Sequence, residues 1–100
     1  MSEGLRVGLV GAGFAARLHA RAYRHLGDLN VRVAAVASSG STRAAALARD
    51  FDIADLCSFD DLLTRPDIAI IDLCVPNSLH APLAIAAAEA GKHVICEKPL

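Results

Sequence analysis

The segment Gly11-Ala12-Gly13-Phe14-Ala15-Ala16 constrains the fold of this chain more than any other. An apolar run from Leu5 to Val10 precedes it, and an alanine-rich segment with helical spacing follows it. Strand, glycine turn and helix in this order make the G-x-G-x-x-(G/A) pattern a dinucleotide-binding fingerprint. Gly11 permits the tight turn, Gly13 lets a pyrophosphate approach the backbone, and Ala16 lets the helix pack closely on the strand.

The helix after this turn supplies the second half of the argument. Its N-terminus presents free N–H groups and a partial positive charge, which together favour a bound phosphate. Glycine and alanine also occur together in ordinary helix–strand packing, so the flanking strand and helix carry the interpretation. The candidate pyrophosphate-binding residues are Gly11, Gly13, Phe14 and Ala15.

Length and composition exclude several classes of protein. The chain has 100 residues, a formal net charge of −1 and 54% hydrophobic residues, which indicates one small domain or a piece of a larger one. No apolar run approaches the roughly 20 residues that a membrane span needs, and the N-terminus lacks the features of a signal peptide. A nearly neutral charge and 4% aromatic residues argue against a nucleic-acid partner. We therefore expect a cytoplasmic protein.

The three cysteines, Cys57, Cys74 and Cys96, are odd in number and widely spaced. There is no C-x-x-C pair and no nearby histidine at metal-ligand spacing. Each lies in or at the end of an apolar run. The pattern therefore predicts reduced core cysteines and no metal site.

Apolar runs alternate with helical periodicity along the whole chain. This alternation predicts an α/β fold, a Rossmann-type doubly wound parallel sheet of about five strands with flanking helices and right-handed crossovers. In the first helix we expect Leu18, Ala22 and Leu26 to share one face. The predicted strands are Leu5–Val10, Val31–Ala37, Ile53–Cys57, Ile68–Val75 and His93–Cys96, and the predicted helices cover about 14–26, 42–50 and 80–90, with one or two helical turns after Ser58.

The end of the second strand bears on the choice of dinucleotide. An acidic residue there normally holds the ribose 2′-hydroxyl of NAD, but this chain has Ser38 and Ser39 instead. Those serines and Arg43 could hydrogen-bond and neutralise a 2′-phosphate, although Arg43 could equally be a solvated residue of the second helix. NADP is therefore favoured over NAD.

Polar residues also follow the fourth strand. Ligands of open α/β sheets bind at the carboxyl ends of strands, which makes Pro76, Asn77 and His80 candidate cofactor-binding residues. The alternative is a simple helix entry, with Asn77 or Ser78 as the cap and His80 exposed in the first turn.

Glu97, Lys98 and Pro99 follow the fifth strand at the same edge. A lysine there could hold a substrate oxygen or donate a proton to it. An ordinary solvated lysine at the end of a strand remains the alternative.

Asp72 is unusual because it interrupts an apolar strand. A buried carboxylate is costly unless it is paired or hydrogen-bonded, so we expect a structural, hydrogen-bonded role. His19, in the first helix, is also expected to be structural.

Taken together, three segments resemble the Gfo/Idh/MocA oxidoreductases. They are Val7–Phe14 with His19 downstream, Ile71–Asn77 with His80, and Ala90–Leu100, whose sequence AGKHVICEKPL is the most specific. The resemblance covers essentially the whole chain. It implies an NAD(P)-binding N-terminal domain.

The resemblance also implies roles for residues near the end of the chain. Lys98 would be the catalytic or substrate-orienting lysine, with Glu97 and Pro99 lining the nicotinamide site. Members of the family act on small molecules such as sugars, cyclitols and dihydrodiols, and their full-length chains associate through a second domain. The full-length parent is therefore expected to be a homo-oligomer.

Two departures from the family pattern shape the remaining expectations. Ser38 replaces the acid that would favour NAD. Members of the family continue through a last strand and a large α+β domain, so we expect residues 1–100 to be an NAD(P)-binding Rossmann domain truncated before both. Such a chain would be a fragment or a truncated product, and inactive alone. The competing interpretation is a non-catalytic nucleotide-binding sensor or regulatory module of the same fold.

Overall fold

The computed structural model describes residues 4–38 and 41–96. Within these residues the chain forms five strands in one parallel sheet, in the order β3-β2-β1-β4-β5. The strands are β1 (Leu5–Val10), β2 (Val31–Ala37), β3 (Asp55–Cys57), β4 (Ile70–Leu73) and β5 (His93–Cys96); the helices are α1 (Phe14–Arg24), α2 (Ser41–Phe51), α3 (Phe59–Thr64) and α4 (His80–Glu89).

The two faces of the sheet have separate apolar cores. Leu9 and Val36 pack against α1 and α2 on one face, and Val10 and Ile71 pack against α3 and α4 on the other. Strand order reverses beside β1, because the chain moves outward through β2 and β3 and then returns to β4 on the other side of β1. The predicted doubly wound Rossmann-type sheet is confirmed.

Helix α1 ends earlier than predicted, and the face shared by Leu18, Ala22 and Leu26 is not its buried face. It ends at Arg24 rather than Leu26, and the 3-10 helix Gly27–Leu29 follows it. The residues fully or nearly fully buried in α1 are Ala16 and Ala20, whereas Leu18 and Leu26 are exposed. Small side chains let α1 lie close on the sheet, so the larger residues are left at its flanks.

Other boundaries differ by one or two residues. Strand β4 spans Ile70–Leu73 rather than 68–75, and β3 begins at Asp55 rather than Ile53. Ile53 and Ile68 are nevertheless buried, so an apolar run extends into the core beyond its hydrogen-bonded ladder. The hydrophobic pattern predicts which residues are buried, whereas the boundary of a strand is set by its hydrogen bonds to a neighbouring strand.

The helical turns predicted after Ser58 are confirmed, and two helix ends have clear local causes. The backbone N–H of Asp61 donates to Ser58 Oγ at 3.0 Å, which caps α3. After α4, Gly91 adopts a φ of +83°, the left-handed conformation that commonly ends helices. None of the helices within residues 4–38 and 41–96 has the length and apolar character that crossing a membrane requires.

Candidate nucleotide-binding site

The first glycine of the fingerprint lies where β1, β2 and β4 converge. The N–H of Gly11 donates to the carbonyl of Ala37 at 2.7 Å, and its φ is +107°. A Cβ at this position would collide with the carbonyl oxygen of Cys74. Gly11 is therefore required both by its backbone conformation and by its close approach to the end of β4.

The second glycine leaves open space at the start of α1. Gly13 is the N-cap, with an extended backbone, and the nearest atom to a Cβ built on it is Arg43 Nη1 at 3.8 Å. The first turn of α1 contains no acidic residue. The backbone N–H groups at the start of α1 and the guanidinium of Arg43 therefore face one space, and Gly13 has no side chain to fill it. This space fits the pyrophosphate of a dinucleotide.

A cavity of about 560 Å³ opens at this carboxyl edge of the sheet. A second cavity of about 370 Å³ adjoins it and is lined by Phe14 and Arg17 in addition to Gly13 and Arg43. The fold thus collects predicted residues from three separate parts of the chain. Those that line the larger cavity are Gly11, Gly13, Ser38, Arg43 and Pro76.

The remaining predicted residues lie outside these walls. Ala15 is half-buried in α1, and Asn77 is exposed at the start of the 3-10 helix Asn77–Leu79. His80 Nε2 donates to the carbonyl of Val75 at 2.7 Å, so this side chain closes the turn after β4. Ser39, Glu97, Lys98 and Pro99 lie outside the described residues.

Sequence reasoning missed the apolar wall of the larger cavity. Phe59, Val75, Leu79 and Leu83 line it together with the glycine turn. The sequence could have identified Phe59 as a cavity residue, because it follows the end of β3 by two positions and so lies at the same carboxyl edge. The others come from the turn after β4 and from α4, and the fold brings them to the same edge.

Asp72 is fully buried and hydrogen-bonded, as its position predicted. Its Oδ2 accepts from His19 Nδ1 at 2.7 Å and from the Tyr23 hydroxyl at 2.8 Å. Burial and the hydrogen bond to Asp72 raise the pKa of Tyr23, which keeps its hydroxyl protonated and donating. Tyr23 was missed, although it lies one helical turn after His19.

The cysteine prediction is partly confirmed. All three cysteines are reduced, but Cys96 is exposed, and Cys57 and Cys74 are partly buried where they pack against the two apolar cores. The fold also brings a histidine close to one of them, which the sequence spacing did not reveal. Cys74 Sγ lies 3.3 Å from His19 Nδ1, although 55 residues separate them in sequence.

The parallel sheet, the glycine turn and the open helix start together define a dinucleotide-binding Rossmann domain. The model of an oxidoreductase family, described as having an NAD-binding Rossmann fold, matches residues 5–100. The chain belongs to this Gfo/Idh/MocA family.

Known relatives agree in sequence and in fold. Levoglucosan dehydrogenase of Pseudarthrobacter phenanthrenivorans is 42% identical over 106 residues, covering 98% of this chain and 27% of that protein. A levoglucosan dehydrogenase structure, in complex with NADH and levoglucosan, is 40% identical with a TM-score of 0.87, covering 96% of this chain and 28% of the other. Biliverdin reductase from Synechocystis, in complex with biliverdin and NADP+, is 34% identical with a TM-score of 0.84, covering 96% and 30%. The chain therefore spans less than a third of the length of these relatives, and its family is one that binds NAD or NADP.

Proposed function

We propose that this chain is the dinucleotide-binding part of an NADP-dependent oxidoreductase that acts on a sugar- or polyol-like substrate. The observation that carries the proposal is the open space before Gly13, which faces the guanidinium of Arg43 and adjoins Ser38. Bound there, the nicotinamide cofactor would supply or accept a hydride at a hydroxyl or carbonyl carbon.

Different residues of the cavity bind different parts of the dinucleotide. The start of α1 and Gly13 hold the pyrophosphate, because backbone N–H groups approach it without an intervening side chain. The apolar wall of Phe59, Leu79 and Leu83 excludes water and offers a flat contact for the adenine ring. In this proposal the adenosine end lies between the end of β2 and the turn after β4.

The preference for NADP rests on charge at the end of β2. Ser38 is exposed there and brings no carboxylate to repel a 2′-phosphate. Arg43 lines the same cavity and supplies a permanent positive charge. The two relatives described above were solved with NADH and with NADP+, so the choice in this chain depends on its own residues.

The test measures dissociation constants for NADPH and NADH with the full-length protein. Wild type should bind NADPH more tightly, and Ser38→Asp should shift the ratio toward NADH by about tenfold or more, as a carboxylate beside a phosphate costs more than 1 kcal/mol. Arg43→Ala should weaken NADPH more than NADH. Arg32→Ala, an exposed arginine in β2 near the opposite end of the sheet, is the matched control and should change neither. A wild-type preference for NADH of tenfold or more would refute the NADP assignment.

We further propose Lys98 as the group that holds or protonates the substrate oxygen, since β5 ends at Cys96 on the cofactor edge, two residues earlier in sequence. Lys98→Ala should lower kcat by about 10²–10⁴-fold, the range for loss of a positioned acid or base, with an unchanged NADPH dissociation constant. Lys98→Arg keeps the charge but is a poor proton donor, so it separates charge from proton transfer.

The remaining substrate contacts are proposed to come from sequence beyond the matched segment, because this chain spans only 27% of its dehydrogenase relative. The assay therefore uses the full-length protein with a panel of sugars and polyols. Tight NADPH binding without turnover on any substrate would favour the sensor alternative. Equal kcat in wild type and Lys98→Ala would exclude the proposed role of this lysine.

A further inference from the structure

Three side chains of types that commonly bind metal ions lie close together beside the nucleotide cavity. His19 of α1 supplies a ring nitrogen, and Asp72 and Cys74, at the end of β4, supply a carboxylate and a thiol. Their ligand atoms all lie within 4.8 Å of one another. None of the three has a role in the proposed hydride transfer.

The three side chains form a compact cluster rather than a proton relay. In a Cys–His–Asp relay the thiol and the carboxylate approach opposite ring nitrogens. Here Asp72 Oδ2 at 2.7 Å and Cys74 Sγ at 3.3 Å approach the same nitrogen, Nδ1 of His19. Cys74 Sγ also lies 3.6 Å from Asp72 Oδ1. The three donor groups are therefore close neighbours of one another, near enough to share one ion.

The spacings suit a tetrahedral ion of the zinc class. With the usual Zn–S, Zn–N and Zn–O distances, neighbouring ligand atoms lie about 3.4–3.6 Å apart. The 3.6 Å between Cys74 Sγ and Asp72 Oδ1 lies in this range, and the 3.3 Å between Cys74 Sγ and His19 Nδ1 is slightly shorter than it. The hydrogen bond between His19 Nδ1 and the other carboxylate oxygen, Oδ2, would break when an ion replaces the proton between them.

Charge and access also favour a cation. A thiolate and a carboxylate around a neutral imidazole neutralise a divalent ion, and Asp72 is fully buried, where an opposite charge is most valuable. Cys74 lines the 560 Å³ cavity, so an ion reaches the cluster from the nucleotide side.

We propose that His19, Asp72 and Cys74 bind a thiophilic divalent cation of the zinc class, in the wall of the dinucleotide cavity. A water molecule entering from the cavity completes the coordination. The proposal is independent of the proposed function, because it concerns side chains that the hydride transfer does not use.

The test is a Co²⁺ titration of the reduced, metal-free full-length protein, followed by the near-ultraviolet absorption of a thiolate–cobalt bond. Wild type should develop this band with one equivalent of ion. Cys74→Ser and His19→Gln should each lose the band or weaken binding by at least tenfold, since each removes one of the protein ligands. Cys57→Ser and Cys96→Ser are the matched controls and should keep it.

Folding is checked in each variant by circular dichroism and by NADPH binding, so that loss of the site is distinguished from loss of structure. If His19→Gln fails to fold, Cys74→Ser and Cys74→Ala decide the outcome, because they remove only a partly buried thiol. An absent band in folded wild type, or a band unchanged in both Cys74 variants, would overturn the proposal.

Discussion

Two cavities of similar size lie at opposite ends of the sheet, and only one of them has the geometry of an anion site. The cavity at the carboxyl ends measures about 560 Å³ and contains Arg43. The cavity at the amino ends measures about 400 Å³ and contains Arg24 and Arg32. Volume and arginine content therefore do not separate them.

The backbone makes the difference. At the carboxyl end, the N-terminus of α1 and two glycines leave donors and space. At the amino end, α1 and α2 terminate, so carbonyl groups and a partial negative charge face the cavity. Arg24 donates there to the carbonyl of Asp50 at 2.8 Å and lies 4.8 Å from the Phe51 ring centre. That arginine is used to close the end of α2.

Side chains close the other turns of the amino end in the same way. Lys92 Nζ donates to the carbonyls of Arg65 and Ile68, both at 2.6 Å. Arg65 in turn pairs with Asp67 at 2.7 Å and with Asp55 at 3.0 Å. At the amino end of the sheet, long polar side chains thus hydrogen-bond to the turns. At the carboxyl end, the glycines leave space for a ligand.

The largest expected effect tests whether the open end depends on Gly11. Gly11→Ala should destabilise the full-length protein by about 3 kcal/mol or more, because positive φ and a backbone collision both oppose the new Cβ. Gly91→Ala is the matched control. It has φ +83° with open space around it, so it should cost only about 1 kcal/mol. Chemical denaturation measures both, and equal losses would show that the contact with Cys74 is unimportant.

The next prediction compares how substitutions in the two cavities change the affinity for NADPH. Gly13→Val should weaken NADPH by about 100-fold, near 2.7 kcal/mol, by filling the space meant for pyrophosphate. Its fold should survive, because the nearest atom to the Cβ is 3.8 Å away. Gly27→Val adds the same side chain at the amino-end cavity, where a Cβ meets nothing within 4 Å. Isothermal titration calorimetry should find unchanged affinity for this control, and equal weakening in both variants would mean that the cavities were wrongly distinguished.

The smallest effect concerns acid at the amino end. The hydrogen bond and charge of Arg65 lower the pKa of Asp67, so its folded-state pKa lies below its unfolded value. The stabilisation is present above the unfolded pKa, near 4, and is lost as pH falls through the folded one.

Asp67 is half-exposed, and solvent screening limits the pair to about 0.5 kcal/mol. Asp67→Asn should therefore cost this amount at pH 7 and progressively less as the pH falls below about 4, measured by denaturation at each pH. Asp60→Asn is the matched control, because it changes an exposed aspartate of α3 for which no ion pair is found among the described residues. A difference that persists unchanged at pH 2 would contradict the ion-pair explanation.

Local pattern determined much of this protein. Strands β1, β2 and β5 begin and end where the sequence predicts, because each is an apolar run bounded by turn residues. The glycine turn and the short helix after Ser58 were equally predictable, because each depends on residues only a few positions apart. The assignment of the Rossmann-type fold followed from the order of these elements alone.

Tertiary structure decided what distant residues do together. Apolar spacing in α1 did not reveal its buried face, because the close approach of helix to sheet buries Ala16 and Ala20. Arg43 reaches the space before Gly13 only through the β2–α2 crossover. Asp72 meets His19 and Tyr23 across about 50 residues of chain. Periodicity reports which residues are buried, whereas the partner of a buried polar group depends on how the layers are stacked, and no local pattern contains that information.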